Sequence, residues 1–325
     1  MKNYYKIVLV NIIIFVLLLL ALEITARIGI KVLRGYSTVG LKERTLNLRY
    51  QPYVMFGNDW EKKYENIKEK KNFRILIIGG STAEGWFPST LEDVLYEKYD
   101  LKVKVFNSAH GAYNVRQQLV GLAIWGGRIN PDIVISLDGA NDILHSIRGE
   151  VEEGTFFLNN TYKTYLTKPY LSTFIYFTQN SQLYNGLKRL MRRRVDLKKE
   201  DSLKNVHLYL EAKNNISLIS EAIGAHHISV LQPYLGFKKN MTEKEKNFKI
   251  YNYRDKVVKE LFNYTEINLE KLYKSSNNTT HFNSQNLFNL DQRIFSDDFH
   301  FSDNYGYELL SEKIGEILIK KELFR

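Results

Sequence analysis

Two separated groups of residues in this sequence have the types and spacing that acyl-transfer chemistry requires. Ser81 follows Gly79 and Gly80 directly after a run of aliphatic residues, and Asp297 and His300 lie three positions apart near the C-terminus. A serine acts as a nucleophile when a base lies within hydrogen-bond reach, and that base needs a carboxylate to orient it. Because Asp297 and His300 can lie side by side on one turn, they are candidates for the carboxylate and the base.

Two further loops carry groups that can stabilise an oxyanion. The first is the small-residue turn Gly111-Ala112, and the second contains Gly139 and Asn141. Backbone amides of Ser81 and of the Gly111-Ala112 turn, together with the Asn141 carboxamide, would supply three donors. Removing one such donor typically costs about 2.7–4 kcal/mol of transition-state stabilisation. The sequence therefore contains the parts of an oxyanion hole.

The loop that contains Ser81 must also be compared with phosphate-binding motifs. Gly80 and Gly85 have the glycine spacing of a P-loop, but Trp86 and Phe87 occupy the positions of its lysine and hydroxyl residue. Ser81 occupies the second glycine position of a dinucleotide-binding fingerprint, so that motif fails as well. Two interpretations remain, a nucleophile and an ordinary tight turn between a strand and a helix.

Other polar residues near these motifs have weaker claims. Asp298 is a rival to Asp297 as the partner of the base. His110 and His145 either line the pocket or occupy ordinary helix-start and surface positions. The pair His226-His227 has no carboxylate at ligand spacing, and the chain has no cysteine, so we expect neither a metal site nor a cofactor.

The order of predicted elements indicates an α/β protein with a doubly wound parallel sheet. Four uninterrupted aliphatic residues, Ile75 to Ile78, predict a strand that is buried on both faces. Further strands are predicted at 102–106, 133–137 and 228–231, with a last strand at 286–290 after a polar loop. Helical segments alternate with them, including 115–125, 206–223 and 307–320. Ligands bind at the carboxyl ends of the strands in such sheets, where Ser81 is expected.

Residues 150–205 interrupt this alternation and are interpreted as an inserted helical cap. The segment is first aromatic and then basic, with the basic residues concentrated between Lys188 and Arg194. The cap is either a lid or a patch that attracts an anionic lipid or glycan, or a structural insertion with a packed aromatic face and a solvated basic face.

The N-terminus predicts a membrane anchor. Residues Ile7 to Leu22 are uncharged and would span about 24 Å as a helix, against ~30 Å for the hydrocarbon core. A cleaved signal peptide is the alternative, but no A-x-A site follows. We expect an uncleaved single-pass anchor at 1–30, a stalk at 31–72 and an extracytoplasmic globular domain at 73–325. The net charge of +10 is dispersed, so no nucleic-acid partner is expected.

The four loops together resemble the conserved blocks of the SGNH (GDSL-like) hydrolases. They occur in the family order over about residues 73–320, and each follows a predicted strand or lies in the last loop. The blocks are Gly79-Gly-Ser81, Asn107 to Asn114, Gly139-x-Asn141-Asp142 and Asp297-x-x-His300. The resemblance implies a three-layer α/β/α, flavodoxin-like fold, with Ser81 as nucleophile, His300 as base and Asp297 as its partner. It also implies an oxyanion hole formed by the Ser81 N–H, an amide of the second block and Asn141.

The second block departs from the family pattern. The family glycine lies five residues beyond the opening asparagine, which is Ala112 here, with Gly111 just before it. Either Ala112 donates its amide, or the loop is shifted and Gly111 does; an alanine restricts the backbone φ of the loop.

These features predict a membrane-anchored serine esterase that acts on an O-acyl ester. The anchor and the aromatic cap suggest an O-acyl ester on an exported glycan or on a lipid, and of these two we prefer the O-acetyl glycan. A catalytically weak or inactive protein of the same fold that binds glycan or supports assembly is an alternative, as is an O-acyltransferase that uses the same site. The sequence does not define the substrate, the acyl acceptor or the oligomeric state.

Overall fold

The chain divides into two units. In a computed structural model, residues 2–34, 50–51, 53–57, 67, 72–148, 181, 199–248 and 255–324 are described. One unit comprises Met1–Arg49 and Leu158–Asp196, and the other comprises Tyr50–Phe157 and Leu197–Arg325. The stalk predicted at 31–72 and the cap predicted at 150–205 lie mostly outside the described residues.

The first unit contains a long N-terminal helix, α1 (Lys2–Arg34). Its segment Val8–Ala26 has 19 residues and a mean hydropathy of 2.8, and its side chains are not buried against other parts of the chain. At 1.5 Å per residue this segment is about 28 Å long, close to the thickness of the hydrocarbon core. It extends beyond the predicted end at Leu22, and it is long and apolar enough to cross a membrane.

The second unit is built on a parallel sheet of five strands in the order β4-β3-β5-β6-β7. A short antiparallel pair, β1 (Tyr50–Gln51) and β2 (Met55–Phe56), precedes it. The five strands are β3 (Phe73–Gly79), β4 (Val103–Asn107), β5 (Ile133–Asp138), β6 (His226–Leu231) and β7 (Thr279–Phe282). Neighbouring strands are parallel throughout. Strands β4 and β5 lie on opposite sides of β3, so the chain first adds a strand on one side and then crosses over β3 to continue on the other. This order confirms the doubly wound prediction.

Helices cover both faces of this sheet because its crossovers run in two directions. The helices are α2 (Ser81–Glu84), α3 (Pro88–Tyr99), α4 (Val115–Ile129), α5 (Ala140–Arg148), α6 (Lys199–Ala222), α7 (Glu243–Lys246), α8 (Asp255–Tyr273) and α9 (Tyr305–Lys320). Helix α3 packs against α9, whereas α4, α5 and α8 pack against α6. The aliphatic residues of β3 and β5 are fully buried between these layers, as the sequence predicted.

Two element boundaries differ from the sequence-based prediction. Helix α6 begins at Lys199, inside the segment that was assigned to the cap. The last strand is not at 286–290, where the structure has a 3₁₀ helix at Gln285–Phe288, but at Thr279–Phe282. The sequence of this strand is polar, and the sheet accommodates it because the polar side chains have specific partners. His281 Nδ1 lies 2.9 Å from the Ser229 carbonyl oxygen, and its Nε2 lies 2.8 Å from Glu266 Oε1.

Candidate active site

Ser81 is the first residue of α2, at the carboxyl end of strand β3. Gly80 caps this helix in an extended conformation, and a Cβ atom at this position would lie 2.7 Å from Asn141 Nδ2. A glycine is therefore required for the close approach of Asn141 to the serine turn. As the first residue of a helix, Ser81 has a backbone N–H without an intrahelical partner.

The structure brings Ser81, His300 and Asp297 into one hydrogen-bonded chain. His300 Nε2 lies 2.7 Å from Ser81 Oγ, and His300 Nδ1 lies 2.9 and 2.8 Å from the two carboxylate oxygens of Asp297. Because an ionised carboxylate can only accept, Nδ1 carries the imidazole proton. Nε2 is then an acceptor for the Ser81 hydroxyl, which is the tautomer that a general base needs.

Asp297 is held in its ionised form by the turn that carries it. Its Oδ1 atom also accepts hydrogen bonds from the backbone N–H groups of Phe299 and His300, each at 2.9 Å. Partial burial raises the pKa of Asp297, but the hydrogen bond from His300 and those two backbone bonds outweigh it. The pKa of Asp297 is therefore below its ordinary value. Asp298 does not bond to His300; it is 8% exposed, and its carbonyl oxygen accepts from Leu235 N.

A buried ion pair supports the start of the same loop. Lys238 Nζ donates to both carboxylate oxygens of Glu245, at 2.9 and 2.7 Å, and neither side chain is appreciably exposed. Glu245 Oε1 also accepts from the backbone N–H groups of Ile294 and Phe295, at 2.9 and 3.1 Å. A bridge between Phe295 and Phe301 then closes the loop around Asp297 and His300. The sequence motifs gave no indication of this support.

The structure discriminates between the two amides proposed for the second block. Gly111 N donates to Glu84 Oε2 at 2.9 Å, so this amide is already used. Ala112 has a φ of +65°, in the left-handed region, and its N–H makes no hydrogen bond within the described ranges. The Ala112 amide is thus the one that remains available to a substrate. The loop has the conformation that a glycine adopts most easily, although an alanine occupies it.

Asn141 contributes from the other side of Ser81. It lies in the first turn of α5, and its Nδ2 donates to the Tyr113 carbonyl oxygen at 2.9 Å. A carboxamide nitrogen has two hydrogens, so the second remains available to a substrate. The preceding Gly139 has a φ of +104°, and a Cβ there would collide with the Leu231 side chain. Only glycine fits this turn, which aims Asn141 at the serine.

Asp142 is a further polar residue of this region whose contacts were not predicted. Its two carboxylate oxygens each lie 3.2 Å from the backbone nitrogen of Val115, the first residue of α4. Burial and the nearby Asp138 carboxylate raise its pKa to about 8 against the effect of the Val115 N–H and of Lys213. Asp138 itself is paired with the fully buried Lys213 and accepts from the Tyr209 hydroxyl at 2.7 Å.

A pocket of about 300 Å³ opens beside the serine. Its lining consists of Ser81, Asn141, Asp297 and His300 together with Ala140, Leu144, Gln232, Asp298 and Phe299. His110 does not line it; this residue bonds to the Gly111 carbonyl oxygen and stacks on Tyr113. The side chain of His145 lies outside the described residues. His227 bonds to Ser136 in the core, and no cluster of metal-ligating residues occurs in the described part of the chain.

Solved structures that are similar to this chain include ester hydrolases. No family model and no curated protein matches the chain. Among solved structures it is similar to a lipase from a goat rumen metagenome, with 12% identity, a TM-score of 0.45 and coverage of 74% of this chain and 95% of that one. It is also similar to a catalytic mutant of an acetylxylan esterase from Geobacillus stearothermophilus, with 13% identity, a TM-score of 0.44 and coverage of 78% and 96%.

A third similar structure is an acetyl xylan esterase, with 11% identity, a TM-score of 0.44 and coverage of 76% of this chain and all of the other. Because the identities and TM-scores are low, the functional conclusion rests on the geometry around Ser81.

Proposed function

We propose that this chain is a serine ester hydrolase in which Ser81 is the nucleophile, His300 the general base and Asp297 the residue that orients it. The observation that supports this role most directly is the continuous hydrogen-bonded chain from Asp297 through His300 to Ser81, with distances of 2.8 and 2.7 Å. This series of hydrogen bonds sets the tautomer of His300 and leaves its Nε2 atom as the acceptor for the Ser81 hydroxyl.

Acylation begins when Ser81 Oγ attacks the carbonyl carbon of the ester. His300 Nε2 takes the hydroxyl proton as the new C–O bond forms, and the electron pair of the carbonyl double bond moves to its oxygen. The resulting oxyanion accepts hydrogen bonds from the Ser81 N–H, the Ala112 N–H and Asn141 Nδ2. When the intermediate collapses, the bond to the leaving alcohol breaks, and the alcohol oxygen takes the proton from His300.

Deacylation repeats these steps with water in the place of the serine. His300 removes a proton from water, the hydroxide attacks the acyl carbon, and Ser81 Oγ leaves with the proton that His300 returns. Asp297 stays ionised and stabilises the imidazolium that forms in both halves, which its lowered pKa favours. A sugar hydroxyl that replaced this water would make the same site an O-acyltransferase.

The N-terminal helix supports a membrane-associated form of this activity. We place α1 in a membrane through Val8–Ala26, as a retained single-pass anchor with the second unit outside the cytoplasm, where O-acyl glycans or lipid esters are exposed. Full-length protein should stay in the membrane fraction after carbonate washing. Recovery of a soluble form that begins beyond residue 25, or protease access to residues 71–325 from the cytoplasmic side, contradicts this placement.

A glycan-binding or assembly protein without activity is the main competing function, and Ala112 is the feature that favours it. Two observations argue against such a protein, because a scaffold requires neither of them. Ala112 has the left-handed backbone conformation that a glycine would adopt, and Ser81, His300 and Asp297 are aligned by hydrogen bonds.

Labelling with a fluorophosphonate tests the proposed nucleophile. This probe phosphonylates a serine only when a base activates the hydroxyl, so full-length protein in detergent should gain one adduct on Ser81, located by mass spectrometry of its peptides. Ser81→Ala protein serves as the matched control and should stay unlabelled. Absence of an adduct on correctly folded wild-type protein, or an adduct on another serine, contradicts the proposed role.

A further inference from the structure

Gln232 lies in the wall of the active-site pocket, directly after strand β6. It is only 3% exposed, and its side-chain nitrogen donates to the Thr82 hydroxyl and, at 3.3 Å, to the Phe299 carbonyl oxygen. Because a carbonyl oxygen can only accept, the nitrogen of the amide faces Phe299 and its oxygen points the other way. The orientation of the Gln232 carboxamide is therefore fixed by its neighbours.

The amide oxygen of Gln232 is left without a donor. No hydrogen bond to it occurs within the described part of the chain, although the backbone atoms of Gln232 are bonded on both sides, to Asp138 and Gln285. Gln232 lines the pocket, and its amide oxygen is not among the fully enclosed, unpartnered atoms of the described core. A polar atom in such a place is completed by a donor on a bound molecule or by water.

The rest of the pocket lining combines polar and apolar residues. Asp297 and Asp298 belong to the lining of the pocket, whereas no lysine or arginine belongs to its described part. Leu144 and Phe299 supply apolar surface beside them. Such a lining accommodates molecules that combine hydroxyl groups with apolar C–H surface.

The position of Gln232 relative to His300 indicates which half of an ester it contacts. His300 must protonate the leaving oxygen, so the alcohol half lies on its side of the serine. Gln232 bonds to the carbonyl of Phe299, the residue immediately before His300. Gln232 therefore lies beside the loop that carries His300, on the side of the pocket to which we assign the alcohol half.

We infer that Gln232 is a specificity-determining residue whose amide oxygen accepts a hydrogen bond from a free hydroxyl group adjacent to the ester in the alcohol half of the substrate. The preferred substrate is thus an ester of a polyol, such as a partly acylated sugar, and not the ester of a simple alcohol. This inference rests on the proposed function only in assigning the hydroxyl to the leaving alcohol.

A pair of probe esters tests it on full-length protein in detergent. The two are the monoacetate of trans-1,2-cyclohexanediol and cyclohexyl acetate, which differ by the adjacent hydroxyl. We expect wild-type kcat/KM to be roughly 10- to 100-fold higher for the diol ester, because a site built to accept from a hydroxyl discriminates against analogues that lack it. Gln232→Met should bring this ratio close to one.

Thr82→Val is the matched control. It removes the hydroxyl that Gln232 shares with Phe299 but keeps the Gln232 oxygen, so kcat/KM should fall for both esters while their ratio is kept. A wild-type ratio near one, or a ratio that survives in Gln232→Met protein, overturns the inference while the esterase function stands.

Binding to Ser81→Ala protein separates failure of the inference from failure of the proposed function. Ligand-observed NMR compares the same two esters on this protein and on the double variant with Gln232→Met. A Gln232-dependent preference for the diol ester supports the inference even if wild-type protein hydrolyses neither ester. If there is neither hydrolysis nor a preference in binding, both the inference and the proposed function are wrong.

Discussion

The backbone N–H of Gly111 donates a 2.9 Å hydrogen bond to the carboxylate of Glu84, three residues after Ser81. This bond joins the loop of the second block to the short helix that carries the serine. It also uses the amide of Gly111, which leaves the neighbouring Ala112 amide for an oxyanion. The distance between the proposed nucleophile, Ser81, and the proposed oxyanion donor, Ala112, is thereby fixed by Glu84, which has no role in the proposed chemistry.

Removing the Glu84 carboxylate should lower activity without unfolding the protein. An exposed charge-assisted hydrogen bond is worth about 1 kcal/mol, so Glu84→Ala is expected to lower kcat about fivefold with a small change in Tm. Glu84→Gln keeps an acceptor and should retain most of the activity. Glu97→Ala, an exposed position on α3, is the control and should behave as wild type. Full activity in Glu84→Ala would show that the loop holds its conformation alone.

Replacing Ala112 by glycine should stabilise the protein, against the usual effect of this substitution. At a φ of +65° an alanine carries a steric cost of about 1 kcal/mol that glycine avoids. We expect Ala112→Gly to raise Tm with kcat unchanged or increased. The same substitution at Ala123, an exposed helical position of α4, should cost about 1 kcal/mol. Destabilisation at both positions, measured by denaturant unfolding, would contradict the left-handed conformation of Ala112.

Breaking the buried Lys238–Glu245 pair should destabilise the loop that carries the base. Glu245→Gln leaves the Lys238 ammonium buried without a counter-charge, which typically costs about 3–5 kcal/mol. Glu243→Gln removes the exposed partner of Lys246 two residues earlier and should cost less than about 1 kcal/mol. Urea unfolding of the two variants compares these costs directly. Equal stability of both would mean that the buried pair does not support the loop.

The same glutamate makes stability depend on pH in acid. Burial raises the pKa of Glu245, but the hydrogen bonds from Lys238 and from backbone N–H groups outweigh it and lower the pKa to about 2 from 4.5. Stability from this depressed pKa is fully present above pH 4.5 and is lost as pH falls towards 2. The Tm difference between wild type and Glu245→Gln should therefore shrink over this range.

Asp142 should have the opposite dependence because its pKa is raised from 3.8 to about 8 by burial and by Asp138. The folded state holds a proton that the unfolded state has released, so stability is lost as pH rises from 3.8 to 8. Asp142→Asn keeps an acceptor for Val115 N without titrating, and its Tm advantage over wild type should grow through this range. Asp93→Asn, at an exposed position, should show no such trend. A constant difference for Asp142→Asn would exclude the raised pKa.

Local sequence patterns were sufficient to predict the elements that carry the chemistry. The aliphatic run of β3 followed by Gly80 and Ser81 determines a buried strand and a tight turn from neighbouring residues alone. Asp297 and His300 lie on one turn, so their contact is also local. The choice between Gly111 and Ala112 was left open, because it depends on a hydrogen bond to a residue 27 positions away.

The features that the sequence did not predict depend on contacts between distant segments. Gln232 acquires its orientation from Thr82, 150 residues earlier, and no pattern around Gln232 distinguishes it from a surface glutamine. Strand β7 was assigned to a polar loop because its histidine, His281, is partnered by residues far away in the sequence, Ser229 on strand β6 and Glu266 on helix α8, which local periodicity does not reveal. A sequence shows which residues are polar, whereas the fold determines which of them are partnered.

The central claim, that Ser81 and His300 act as one catalytic unit, is tested most directly by a double-mutant comparison of kcat on a short-chain acetate ester. Ser81→Ala and His300→Ala should each lower kcat by roughly three to six orders of magnitude, and the double variant should be barely slower than either. Asp297→Ala should be milder, and Asn141→Ala should lower kcat by roughly a hundredfold or more. Additive losses in the double variant, or undiminished hydrolysis by Ser81→Ala protein with wild-type Tm, would contradict the account.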